Sequence, residues 1–553
     1  MKRMPFRCDN TLQERSGLNY SAYTIFCILL LILIGLRITH DLEANMDVLL
    51  WDEANYLNRG LWMFHRIPKV WGPSYSAWYK FVSYIQPEKI PLYYLNYRIM
   101  TIGTAVVGFL FLASCGVRQW IAFLLCCCLL LSSYNLPVWP KISHYCILLV
   151  MLAILISKYL EDVLAKWCVF SLALLACAYA RPELFLSFSL CFLITLLQAV
   201  WKFKKSKIST RIFFTLTVFW VGFICWQYKT PFNSGDSGRS IKVFYQHFAM
   251  NYVQWNHLKL NWWLVWPDII QKNFQHPESI SSIIKYNGHL FWRHIFSNLK
   301  NYFIWMGSLA GQFFIPFILK SYCLAILGVL SMLLYFVASG LKNFRSNLIS
   351  AIHENCRVLF FLLLFILPGI LVCVYAYPRE HYLVINIPLL LLIFGIILSA
   401  IQNTDDSWKK WLALALGIIF FICAPKAGQF DFYQLERQEK SLANVQTLKY
   451  LQQIDPADTL RILDLEGDLS SLLSGKYKGY TNAYLQQQPA SVVDFMDKNH
   501  IDVVYITPVL LSYSLVQHDT AFQELLKYPD QHQFYAEKTG NFTPYLLSRK
   551  SYK

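Results

Sequence analysis

The feature that most constrains this chain is a succession of apolar stretches, each close to the length that crosses a bilayer. A spanning helix needs roughly 17–25 mostly apolar residues to cover a hydrocarbon core of about 30 Å. Eleven stretches are read this way, some of them short: 22–39, 98–117, 119–136, 143–158, 166–180, 183–200, 211–228, 321–341, 358–376, 382–400 and 411–425. Charged residues are 15% of the chain, well below the roughly 25% of an ordinary soluble protein. The mean hydropathy is +0.37. The expectation is an all-α polytopic membrane domain of about 11 transmembrane helices. Disordered, collagen-like and coiled-coil classes are excluded by the abundance of Phe, Trp, Leu and Ile and the lack of a heptad or glycine period. The first stretch reads as a retained span rather than a cleaved signal, because Arg37-Ile38-Thr39-His40 follows it without a small-x-small cleavage pattern.

Orientation follows from the cations, which concentrate in short cytoplasmic loops. Lys2, Arg3, Arg7 and Arg15 mark residues 1–21 as a cytoplasmic amino terminus. Lys202, Lys204, Lys205, Lys207 and Arg211 follow the sixth stretch; Lys342, Arg345 and Arg357, then Lys409 and Lys410, occupy later short loops. All fall on one side if the span count is odd. The apolar segment 303–319 is then expected to lie in the interface or re-enter, broken by Gly307, Gly311 and Pro316. The net charge of +16 is explained by this pattern and by anionic lipid, so no nucleic-acid partner is expected.

Residues 22–425 thus form the membrane domain, with exterior loops at 40–97 and 229–302 and an exterior domain at 426–553. None of the 15 Cys lies in those three exterior parts, so no disulfide framework is possible there. The carboxyl-terminal part reads as a small α/β domain. Strands are expected at 461–465, 501–506, 533–537 and 544–548, and helices at 490–498 and 521–527. Its glycines form no phosphate loop.

Ionisable residues sit at span ends and in exterior loops, whereas a transporter keeps them inside its spans. Asp52 and Glu53 lie beyond the first span in Trp51-Asp52-Glu53-Ala54-Asn55-Tyr56. Adjacent carboxylates on a helix end cannot face the same way, so one can point into a site while the other takes a neighbour. Glu88-Lys89-Ile90-Pro91-Leu92-Tyr93 closes the same loop, Arg181-Pro182-Glu183 ends the fifth span, and Tyr377-Pro378-Arg379-Glu380-His381-Tyr382 ends the ninth. Singly, each is a snorkelling cation with an aromatic anchor. Together they collect a carboxylate pair, cations and phenols at one bilayer face, which suits a lipid-phosphate substrate. Trp255, Trp262, Trp263, Trp266 and Trp292 enrich loop 229–302; an aromatic belt is the simpler reading, sugar stacking the alternative. His276, His289 and His294 there read as surface residues, and no metal-ligand spacing is present.

In order and placement these motifs resemble the GT-C superfamily of polyprenyl-phosphate-sugar-dependent glycosyltransferases, specifically the group of lipid A aminoarabinose transferases and protein O-mannosyltransferases. The resemblance covers residues 40–390 and rests on Asp52-Glu53-Ala54-x-Tyr56, Lys89-x-Pro91-Leu92-Tyr93, Arg181-Pro182-Glu183 and Arg379-x-His381-Tyr382-Leu383. It implies Asp52 as the essential carboxylate, with Glu53 assisting it. It implies Lys89 at the donor phosphate; departures from the usual Lys-Pro-Pro-Leu and Arg-Tyr patterns leave Arg379 or His381 as alternatives, with Tyr382 a donor and Tyr56, Arg181 and Glu183 in support. The expected activity is sugar transfer, with inversion, from a polyprenyl-phosphate donor to a lipid, glycan or protein acceptor on the periplasmic face of a bacterial inner membrane, as in lipopolysaccharide modification. No cofactor is expected, and a divalent metal ion stays open. A transporter or lipid flippase, an accessory protein recruiting through its tail, and a glycan polymerase or ligase are the alternatives.

Overall fold

The computed structural model describes residues 22–50, 52–63, 72–135, 140–228, 239–260, 262–275, 277, 279–313, 344–401, 407–429, 443–454, 459–464, 469–480, 491–507, 510–511, 514–538 and 545–549. The amino-terminal segment 1–21, the expected span 321–341 and Pro316 lie outside them.

Helices dominate. They are α1 Ala22–Ile38, α2 Asp52–Leu61, α3 Pro73–Ser83, α4 Lys89–Ser114, α5 Gln119–Leu130, α6 Ile142–Lys158, α7 Val163–Ala178, α8 Phe185–Lys202 and α9 Ile208–Tyr228. α10 Arg239–Trp255, α11 Trp262–Phe274, α12 Ile280–Gln312, α13 Phe344–Tyr375, α14 Ile387–Ala400 and α15 Ser407–Cys423 follow. Among the described residues six helices are long and apolar enough to cross a membrane: Ala22–Asn45, Lys89–Ser114, Pro182–Lys205, Ile208–Tyr228, Phe344–Tyr375 and Glu380–Ala400. Three expected spans are shorter apolar helices, Gln119–Leu130, Ile142–Lys158 and Val163–Ala178. The last expected span coincides with α15, whose first turn carries Lys409 and Lys410. The fold is therefore a helical membrane part with a small α/β part, and among the described residues six of the eleven expected spans are met by length and composition. α12 also departs from expectation: it runs unbroken through Gly307 and Gly311 and is kinked instead at Asn287, where φ is −151° and ψ 71°.

α1 packs on α4, α5 and α15, and α6, α7, α8 and α13 continue the bundle. Within the segment expected as the second long loop, helices α10 to α12 pack around a core of their own, built from Phe244, Phe248, Ile270, Phe274, Ile283 and Phe291. Trp255, Trp262 and Trp266 pack on that core, so part of the tryptophan enrichment is explained by folding of the loop itself.

In the tail, α16 Ala443–Gln453, α17 Val492–Lys498 and α18 Thr520–Lys527 accompany a five-stranded sheet. The strands β1 Leu460–Leu463, β2 Tyr477–Gly479, β3 Val503–Ile506, β4 Tyr535–Lys538 and β5 Tyr545–Ser548 lie in the order β2-β1-β3-β5-β4. β1 is parallel to β2 and β3, and β5 is antiparallel to β3 and β4. Strand side chains alternate between the two faces. Val503 and Tyr505 accordingly join one core and Val504 and Ile506 another. The second core is closed by Phe495 of α17 and Phe522 of α18. The first is continuous with the membrane part: Val445, Leu448, Leu472 and Tyr505 belong to the cluster that holds Met46, Val48, Leu50 and Leu57.

Candidate functional site

The site is built where the segment between α1 and α4 meets the ends of α6, α7 and α13. α2 and α3 pack closely on each other. Gly60 lets them close, since a β-carbon there would stand 2.4 Å from the Ser76 carbonyl oxygen. α3 starts at Gly72-Pro73, with Gly72 at φ 89° and proline in the first turn, where its missing N–H costs no helical bond. Asp52 and Glu53 open α2, at the helix end whose dipole favours negative charge.

The two carboxylates part company. Asp52 is exposed, while Glu53 is wholly buried. Glu53 Oε1 accepts from the Tyr75 and Tyr79 hydroxyls, both at 2.6 Å, and from Asn96 Nδ2 at 3.0 Å. Its other oxygen accepts the Lys141 backbone N–H at 3.0 Å. Asn96 also donates to both phenols, at 2.8 and 2.9 Å, and accepts from Trp78 Nε1 at 2.7 Å. Burial raises the pKa of Glu53, against the pull of Tyr75, Tyr79 and the Lys141 amide. Burial and then the Glu53 charge push both phenols well up, so they act as donors. The Lys141 ammonium, also fully buried, donates to the Asn135 carbonyl at 3.1 Å. Burial brings its pKa down to about 7, opposed by Glu53. Glu53, expected in support of Asp52, ties α2, α3, α4 and the start of α6 together and is fully buried. Tyr56 is likewise buried, its ring edge-on to Tyr75 at 5.3 Å.

A second group gathers around Tyr382. Tyr382 lies within electrostatic reach of Asp52, Arg181, Arg379 and Glu183. The Arg181 guanidinium sits over the Tyr382 ring, 4.8 Å from its centroid, and the His381 and Tyr382 rings are 4.2 Å apart. Arg181 is held from two sides: Nε donates to Glu183 at 2.6 Å and Nη1 to the Ser143 hydroxyl. Ser143 passes the constraint on, donating to the His381 carbonyl at 2.7 Å. Arg379 is half-buried over Trp262, 5.8 Å from the ring centroid. His247 of α10 stacks with Tyr377 at 6.5 Å. Burial, then the Arg379 charge, lowers the His247 pKa to about 3, which keeps its imidazole neutral.

The structure thus gathers Asp52, Arg181, Glu183, Arg379, His381 and Tyr382. It turns Lys89 elsewhere. The Lys89 ammonium donates to the Ser471 and Leu473 carbonyls of the tail at 2.8 and 2.6 Å, and to Asn58 Oδ1 at 3.3 Å. Expected at a donor phosphate, Lys89 is a bridge between the α2 region and the tail. The reason is local: the tail presents two carbonyls at the end of the short helix Leu469–Leu472, where a cation is favoured.

Sequence reasoning missed Tyr75, Tyr79, Asn96, Lys141, Ser143 and His247. Tyr75 and Tyr79 carried a signal, the i, i+4 spacing that puts two phenols on one helix face. Lys141, Ser143 and His247 carried none, since their partners are far away in sequence. Among the described residues no group of three or more His, Cys, Asp or Glu is placed to hold a metal ion. No protein-family model, curated protein or solved structure matches the chain.

Proposed function

We propose that the chain is an integral membrane glycosyltransferase that moves a sugar from a polyprenyl-phosphate donor to a lipid, glycan or protein acceptor at the exterior face. The observation that carries this reading is the grouping of one exposed carboxylate with two guanidiniums around Tyr382 at one end of the bundle. The rest of the assignment belongs to the same proposal: a GT-C-like domain of eleven spans, an amino terminus in the cytoplasm and a tail in the periplasm of a bacterial inner membrane.

The chemistry follows from charge. An acceptor hydroxyl gives its proton to Asp52 as its oxygen bonds to the anomeric carbon, a positioned base being typically worth 10²–10⁴-fold. The bond from that carbon to the phosphate oxygen breaks on the opposite side, which inverts the centre. Its electron pair leaves on the carrier phosphate, where Arg379, His381 and Tyr382 supply positive charge and hydrogen-bond donors. Arg181, already paired with Glu183, sets the position of Tyr382. Lys89 has no part in this scheme.

The test compares lipids, glycans and envelope proteins by mass spectrometry in cells with the gene, without it, and with Asp52→Asn. The expected result is a sugar-bearing product that disappears with the gene and falls by about 100-fold or more in Asp52→Asn, at normal protein level. Unchanged product in Asp52→Asn removes Asp52 from its role, and no lost product in the deletion sinks the activity.

A further inference from the structure

The end of the bundle away from Asp52 carries a second cluster of charge. α6 begins beside Glu53 and ends, about 25 Å away by helical rise, at Lys158. Lys166 in α7 lies within electrostatic reach of both Lys158 and Arg357 of α13. Packing brings the three helices together here: Lys158 of α6 donates to Asn355, two residues before Arg357 on α13, and Trp167, beside Lys166 on α7, meets Phe360 of the same helix. Like charges drawn together repel unless an anion joins them.

The carboxylates closest in sequence are engaged elsewhere. Glu161 pairs with Lys207 at 2.6 Å. Asp162 caps α7 by accepting from the Leu164 N–H at 2.9 Å. Glu354 accepts from the Ser350 hydroxyl at 3.3 Å. Among the described residues none of the three cations has a carboxylate partner. Meanwhile one cation is held in place. Lys158 Nζ donates at 3.3 Å to Asn355, a buried amide that itself donates to the Cys115 and Ala351 carbonyls at 2.9 and 3.0 Å. Lys166 is half-buried and so less hydrated than a surface lysine, and Arg357 is exposed.

The apolar surface beside the cluster has the matching shape. Phe360, Leu363, Leu367 and Leu371 of α13 are all exposed, and their spacing puts them in one stripe running down the helix from Arg357. Trp167, next to Lys166, meets Phe360 edge-on at 6.2 Å and joins the stripe to α7. A phosphate at the head of an acyl-sized apolar track is the chemistry of a phospholipid.

We propose that Lys158, Lys166 and Arg357 form a binding site for the phosphate of an anionic phospholipid in the leaflet opposite the Asp52 site, with an acyl chain along the α13 stripe. The site is independent of any sugar transfer.

The test uses the full-length protein in phosphatidylcholine nanodiscs, into which phosphatidylglycerol is titrated while thermal unfolding is followed. Phosphatidylglycerol should raise the melting temperature with a saturable midpoint. Each cation removed should weaken that midpoint about fivefold, the usual contribution of one basic residue at an anionic surface. Lys166→Ala with Arg357→Ala should therefore weaken it about 25-fold. Arg357 is exposed, so Arg357→Ala alone should fold and weaken it about fivefold if the double variant does not express. Lys204→Ala with Lys205→Ala, in a basic loop outside the cluster, should leave it unchanged. The proposal is overturned by a wild-type midpoint in Arg357→Ala, by equal weakening in the Lys204/Lys205 variant, or by inorganic phosphate alone giving the same stabilisation.

Discussion

At the scale of residues, adjacency in sequence conceals opposite fates. Asp52 meets water and a cationic cluster; Glu53, one residue on, is the acceptor for two phenols, an amide and a backbone N–H. Truncating a buried acceptor strands its donors, and breaking a buried charged network typically costs on the order of 3–5 kcal/mol. Glu53→Ala should therefore lower the melting temperature of the detergent-solubilised protein sharply. Glu53→Gln, which keeps an oxygen for Tyr75 and Tyr79, should cost roughly 1–2 kcal/mol. Equal melting of Glu53→Ala and wild type would show that the network contributes nothing.

Elements are joined at the site by caps supplied from a distance. Asp47, six residues before Glu53, accepts the N–H groups of Asn444 and Val445 at 3.0 and 2.9 Å and so caps α16 of the tail. Lys89 takes the carbonyls at the end of Leu469–Leu472. An anion at one helix start and a cation at another's end each complement a helix terminus. Losing an N-cap costs about 1 kcal/mol, and the Lys89 bridge adds a charge-assisted contact of about 1.5–3 kcal/mol. Asp47→Ala with Lys89→Met should loosen the tail and speed its removal by added protease several-fold, while Asp47→Asn with Lys89→Arg should stay close to wild type. Proteolysis of the Asp47→Ala, Lys89→Met variant at the wild-type rate would show that these caps do not hold the tail.

Over the whole molecule, the tail sheet spends one face on its own helices and the other on the core shared with Met46, Val48 and Leu50. The tail and the Asp52 loop therefore occupy the same end of the bundle, while the basic loop after α8 sits at the other end of that helix. Exposed positions at the two ends report on orientation. Lys478→Cys should react with a membrane-impermeant thiol reagent on intact cells, and Lys204→Cys should react only after permeabilisation. The reverse pattern would invert the proposed topology.

Much of this was legible in the residues themselves, because it depends on local properties. Apolar length marks the helices, short apolar runs mark the strands at 503–506 and 545–548, and charge beside the spans marks their ends. The four motifs around Asp52, Arg181 and Arg379 were visible as cations and carboxylates at one face. Which of them meet was decided only by packing. Lys89 and Arg379 look alike as basic residues at span ends, yet one is captured by tail carbonyls more than 380 positions away and the other stands over Trp262. Helix formation is governed by neighbours in the chain. The pairing of charges is governed by neighbours in space, and in this protein those come from α2, α7, α10, α13 and the tail together.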